Sequence, residues 1–177
     1  MAPGGEDRVT GSSRASFTLE HRVESSAPIE RVWALLSDAR GWSNWSRLTK
    51  TGLAEPAPGP DPNAVGALRR FSVGPGASLE RVVAYDPPRH LAYELEAGLP
   101  IRGYRADVLL EPRPGGGTTI TWRARYAGRP PVLGVAVHAF LDWFLLDTAR
   151  SLARAAERGE PDDRPPTRTS TAGSGRL

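Results

Sequence analysis

Residues 16–24 alternate, with Phe17, Leu19, His21 and Val23 on one side and Thr18, Glu20 and Arg22 on the other. A period of two marks a half-buried strand. Ser25, Ser26, Ala27 and Pro28 interrupt the alternation, and Ile29, Val32, Trp33, Leu35 and Leu36 then recur at helical spacing. Ser26 or Ala27 falls in the cap region, Pro28 suits the first turn, and Glu30 brings a carboxylate to the positive helix end. The pattern predicts a short helix ending within 38–41, with Trp33 in the core. Trp42 and Trp45, three apart, share one side of a second short helical turn. Residues 51–63 are dense in Pro and Gly and read as a long flexible rim loop.

Five further strands are predicted over 65–73, 77–85, 90–96, 101–111 and 118–126, separated by turns rich in Gly and Pro. Three have a legible inner face. Leu91, Tyr93 and Leu95 share one side, as do Tyr104, Ala106, Val108 and Leu110, and then Ile120, Trp122, Ala124 and Tyr126. Consecutive strands on short turns give an antiparallel sheet with one dry face. The chain closes with a helix predicted over 132–157, about 39 Å long at 1.5 Å per residue. Its first half is almost wholly apolar and needs a large apolar surface to lie on, which only the sheet supplies.

This order predicts an α+β domain: a curved, six-stranded antiparallel sheet around a long C-terminal helix, with two short helices after the first strand. A helix only about 10–12 Å across cannot fill a strongly curved sheet. The space left over predicts a cavity walled by Tyr93, Tyr104, Trp122 and Tyr126 from the sheet and Phe140 and Phe144 from the helix. Three inward tyrosines favour a cavity over a closed core, because each buried hydroxyl needs a polar partner or water.

Composition removes several chemistries. There is no cysteine, which excludes disulfides, thiolate catalysis and zinc–thiolate sites. The three histidines are scattered without metal-ligand spacing, so no metal or cofactor is expected. Gly115, Gly116 and Gly117 lie between two strands and read as a hairpin turn, not a phosphate cradle. Within 16–157, 17 basic and 15 acidic residues leave +2, and the only adjacent basic pair is Arg69 and Arg70. That is no nucleic-acid footprint. Residues 1–15 carry no apolar run of a signal peptide, and the most apolar stretch, 132–146, is interrupted by His138 and Asp142. A cytoplasmic chain without stable membrane insertion, monomeric or homodimeric, is expected. Residues 1–15 and 158–177 read as disordered tails around a domain over 16–157.

The stretches VESSAPIERVWALLSDARGWSNW (23–45), VVAYDPPRHLAYEL (82–95) and GGGTTITWRARY (115–126), with the closing long helix, resemble the START/Bet v 1-like superfamily. The resemblance is to its polyketide cyclase/dehydrase and lipid-transport (SRPBCC) group, and it covers about residues 16–157. It implies the helix-grip fold and a hydrophobic pocket, with Trp42 and Trp45 beside one opening. Members range from aromatic polyketide cyclases to lipid carriers, so it does not choose a use for the pocket.

Three functions follow as expectations. The first is a binder or carrier of a hydrophobic small molecule of lipid, polyketide or isoprenoid type. The second is a cyclase or aromatase/dehydratase acting on a poly-β-ketone, and the third an interaction or regulatory module with a vestigial cavity. Ligand-wall candidates are Trp45, Tyr93, Tyr104, Trp122, Tyr126, Phe140 and Phe144. His138 and Asp142, four apart on one helix face, offer a base with a carboxylate to orient it. Arg81 shares a face with Leu79 and Val83, and the opposite set is Glu80, Val82 and Ala84; either set could face inward. Arg69 and Arg70 pose the same question one strand earlier. An inward arginine would need a carboxylate or ligand oxygen, and in a cyclase could stabilise a developing enolate. Arg123 and Arg125 alternate with Trp122 and Ala124 and are expected to face solvent, as is His90 after its double-proline turn. His21 shares the side of Phe17 and Leu19, at the pocket or at the edge.

Overall fold

A computed structural model describes residues 16–74, 76–127 and 131–159. The two predicted tails fall almost entirely outside these residues. The elements run β1 (Ser16–Ser25), α1 (Ile29–Ser37), a 3-10 turn (Gly41–Asn44), β2 (Lys50–Glu55), β3 (Leu68–Val73), β4 (Gly76–Asp86), β5 (His90–Ala97), β6 (Arg102–Pro112), β7 (Thr118–Ala127) and α2 (Pro131–Arg158). All strand pairs are antiparallel, in the order β1-β7-β6-β5-β4-β3-β2.

The sheet therefore has seven strands, not six. The added strand is β2, which takes up the start of the predicted rim loop. Its six residues hold Gly52 and one large apolar side chain, Leu53, too little for a legible alternation. Its conformation comes from distant partners: Lys50 pairs with Ser72 and Thr51 with Phe71, and the Thr51 hydroxyl donates to the Arg40 carbonyl at 2.8 Å. The second predicted helix is a single 3-10 turn, pinned by Trp42, whose indole N–H donates to the Leu36 carbonyl at 2.9 Å. Pro28 is the N-cap residue of α1, in extended conformation, rather than part of its first turn.

The inner faces of β5, β6 and β7 are those their alternation predicts, with Tyr93, Tyr104, Ala106, Val108, Trp122 and Tyr126 all buried. Strand β4 obeys neither candidate parity throughout. Glu80 pairs with Leu95 and Val82 with Tyr93, but Ala84 pairs with Ala92, leaving Val83 as an extra residue. Such a bulge switches which side chains face inward. Before it Glu80 and Val82 face the interior; beyond it Tyr85 does, packed edge-on against Trp33 with ring centroids 5.0 Å apart.

Helix α2 changes character along its length. At its C-terminal end Ala149, Leu152, Ala153 and Ala156 are buried, and small side chains let neighbouring backbone approach closely. The Ser25 hydroxyl donates to the Ala153 carbonyl at 3.2 Å, and Arg31 Nε donates to the Ala156 carbonyl at 2.7 Å, closing this end against β1 and α1. Toward the other end α2 touches β1 and β7 through Asp142 and His138 and stands off the rest of the inner face. Val135, Phe140 and Trp143 remain exposed there. Among the described residues no helix is long and apolar enough to cross a membrane.

Candidate functional site

The gap between the standing-off half of α2 and the inner face of the sheet is a cavity of about 340 Å³. Phe140, Leu141, Phe144, Leu145 and Thr148 border it from one face of α2, at spacings of one, three and four residues. Phe71, Glu80, Tyr93, Leu95, Tyr104 and Trp122 border it from the sheet, and Trp42 closes one side. Val73 and Phe140 are wall residues that are also 43% and 41% exposed, which marks the opening. Gly98 sits in the wall at φ +109°, where a Cβ would meet the Ala77 carbonyl oxygen at 2.1 Å. Only glycine fits that approach.

Five of the seven wall candidates from the sequence border the cavity: Tyr93, Tyr104, Trp122, Phe140 and Phe144. Trp45 and Tyr126 are buried beside it. Trp42 takes the place expected of Trp45, because its ring stacks on Phe71 at 4.8 Å while Trp45 packs behind it at 4.9 Å. Tyr126 is held aside by its hydroxyl, 2.8 Å from His138 Nδ1, and by Phe17 stacked at 5.3 Å.

His138 and Asp142 are not brought together as a base and its orienter. Each is engaged with the sheet instead, His138 with Tyr126 and Asp142 with β1, where its Oδ1 lies 3.1 Å from His21 Nε2. None of these four borders the cavity. Arg81 points away from it, forked onto Glu96 (2.7 Å) and Glu55 (3.1 Å) on the outer face. Arg123 and Arg125 are exposed, as their alternation predicts. His90 is only partly exposed, 2.9 Å from Asp107.

The polar centre of the site is a pair that the sequence left undecided. Arg69 faces inward and is 1% exposed, with Nη2 donating to Glu80 Oε2 at 2.8 Å; Arg70 is exposed. Three rings surround the guanidinium, Tyr93 at 4.2 Å and Trp42 and Phe71 at 5.0 Å each. A guanidinium is weakly hydrated and attracted to ring faces, so arginine tolerates such a box where lysine would not. Nε and Nη1 are buried without an oxygen partner among the described residues. Glu80 borders the cavity and Arg69 does not, so of the pair it is Glu80 that lies next to a guest.

Burial pushes the Glu80 carboxyl above its ordinary value, against the downward pull of Arg69. Burial likewise raises the Tyr93 and Tyr104 hydroxyls, with Glu80 adding to both. Tyr93 accepts a 3.2 Å hydrogen bond from the Trp122 indole. A signal for this arrangement exists in the sequence. Arg69 alternates in phase with Phe71 and Val73, and the register of β3 on β4, with Val73 opposite Gly76, sets a carboxylate opposite it; Arg69 pairs with Glu80 and Phe71 with Ser78.

A sheet gripping one helix around an apolar cavity defines the class: α+β proteins of helix-grip architecture. The chain belongs to the family described as polyketide cyclase / dehydrase and lipid transport, which it matches over residues 16–160. Among solved structures it is similar to a protein from Thermobifida fusca, at 26% identity and TM-score 0.65, over 81% of this chain and 95% of that one. It is also similar to the Zhui aromatase/cyclase from a Streptomyces species, at 17% identity and TM-score 0.67, again over 81% and 95%. The XoxI protein from Bacillus cereus follows at 17% and 0.63, over 78% and 94%. At these identities the last two likenesses establish fold alone. No curated protein matches the sequence at a significant level.

Proposed function

We propose that this protein binds, and carries, a hydrophobic small molecule of lipid, polyketide or isoprenoid type inside the cavity. The observation that carries this reading is the 340 Å³ of space that the wall side chains leave unfilled. Were the interior closed, Tyr93, Tyr104, Trp122, Phe140 and Phe144 would interlock; instead all five border open volume. A guest hiding about 200 Å² of apolar surface there gains roughly 5 kcal/mol before the costs of association, at ~25 cal/mol per Å². The open interior weighs against an interaction module with a vestigial cavity.

Native mass spectrometry of protein purified from its expression host, followed by titration with the neutral dye Nile red, tests the reading. A co-purifying small molecule and saturable dye binding are expected. Replacing Leu95, a wall residue on β5, by tryptophan should lower dye affinity at least about tenfold while unfolding remains cooperative. Equal binding by wild type and Leu95→Trp would sink the proposal.

A second reading, cyclisation of a poly-β-ketone, is favoured by one observation. The cavity is not uniformly aliphatic: Glu80, Tyr93 and Tyr104 bring a carboxylate and two phenols to its wall. Proton transfer needs such groups within hydrogen-bond reach of the substrate, and a reactive chain asks of the protein mainly folding and a moved proton. The fold shared with an aromatase/cyclase agrees with this reading. Incubation with a synthetic poly-β-ketone thioester, followed by product analysis, distinguishes catalysis from binding. A product distribution unchanged from buffer rejects it.

A further inference from the structure

Hydrogen-bond stoichiometry at Glu80 points to the kind of guest the cavity accepts. A carboxylate has about four acceptor positions on two oxygens. Oε2 is taken by Arg69 at 2.8 Å, whereas Oε1 has only the Ser78 hydroxyl at 3.5 Å, the outer limit of a hydrogen bond. On this residue of the cavity wall one acceptor is therefore nearly unoccupied, in surroundings where an unmet polar group is costly. Arg69, the one charged donor nearby, does not border the cavity and is boxed by Trp42, Phe71 and Tyr93.

Charge narrows the choice. Arg69 and Glu80 together are neutral, so an ammonium guest would leave one uncompensated positive charge in a low-dielectric space. A carboxylate guest would leave one negative charge, and it would meet Glu80 before it could reach the guanidinium. A neutral hydrogen-bond donor satisfies Oε1 and leaves the balance untouched. The flat rings of Tyr93, Tyr104, Trp122, Phe140 and Phe144 favour a flat body behind that donor. Resting on the cavity-binding reading, we infer that Glu80 is the specificity-determining residue of the site. It selects neutral, flat, apolar molecules that carry a hydroxyl, and orients that hydroxyl onto Oε1, while Arg69 acts as its positioning residue.

Four probes with one ring system separate the possibilities: 2-naphthol, 2-methoxynaphthalene, naphthalene and 2-naphthoate, titrated near neutral pH by calorimetry and tryptophan quenching. The expected order is naphthol first, about tenfold or more ahead of the methyl ether, since a hydrogen bond to a charged acceptor contributes that much. The ether should match naphthalene, and naphthoate should bind worst. In the double variant Arg69→Met, Glu80→Leu, which strands no charge, the naphthol preference should collapse to within about twofold while naphthalene still binds. Should that variant not fold, the wild-type ranking decides alone. Naphthol and its ether binding alike would overturn the selection by Glu80 and leave the cavity reading standing. Naphthoate binding tightest would also overturn it, making Arg69 the recognition group. If none of the four binds, the inference falls and the cavity reading loses flat aromatic guests; the Nile red titration then judges that reading separately.

Discussion

Two arginine–glutamate pairs lie on adjacent strands with nearly equal bond lengths and opposite electrostatic consequences. On the inner face Arg69 meets Glu80 at 2.8 Å, and on the outer face Arg81 meets Glu96 at 2.7 Å. The side chains of the first pair are 1% and 14% exposed, those of the second 30% and 43%. Arg81 holds the Glu96 carboxyl below its ordinary value, as a nearby cation should. Glu80 is raised despite an arginine just as close, because removal from water outweighs attraction. Distance alone therefore says little about what an ion pair does. The inner pair keeps a polar centre in an apolar wall, and the outer pair ties an exposed sheet face.

The largest expected contrast comes from removing one partner of the inner pair. Arg69→Ala strands a buried carboxylate and should cost about 3–5 kcal/mol in urea unfolding, much of it returned in Arg69→Met, Glu80→Leu. A loss below about 1 kcal/mol would erase the distinction between the two faces. The next effect is in pH. A carboxyl raised on folding contributes stability that is fully present below its unfolded value and lost as pH rises through the folded one. Without Arg69 the Glu80 carboxyl rises further, so the Arg69→Met deficit should shrink steadily as pH falls and the carboxyl takes up its proton. A deficit independent of pH, followed by unfolding midpoints, would show that the loss is packing and not charge. The smallest effect is Arg81→Ala, whose unfolding curve should overlie that of wild type at physiological salt.

Legibility in the sequence followed the regularity of the backbone. Strands β5, β6 and β7 alternate without interruption on their inner faces, so Tyr93, Tyr104 and Trp122 could be set on one wall from pattern alone. Strand β4 could not be assigned, because the extra residue at Val83 changes the inward set within the strand. Strand β2 is held by its pairing with β3 and by the Arg40 carbonyl that accepts from Thr51, partners that lie outside its own six residues. The choice between Trp42 and Trp45 depends on how a 3-10 turn seats against Phe71, a contact set by tertiary packing. His138 and Asp142 share a helix face as their spacing requires, but spacing cannot tell that Tyr126 and His21 engage them first.

Along α2, the residues that anchor the helix and those that border the guest occupy successive turns and hardly overlap. Leu152, Ala153 and Ala156, with the Ser25 and Arg31 bonds, fasten one end; Phe140, Leu141 and Phe144 shape the other. Exchanging rings at the guest's end can therefore retailor preference while the foundation of the fold stays in place, so this architecture lends itself to acquiring new ligands by a few wall substitutions.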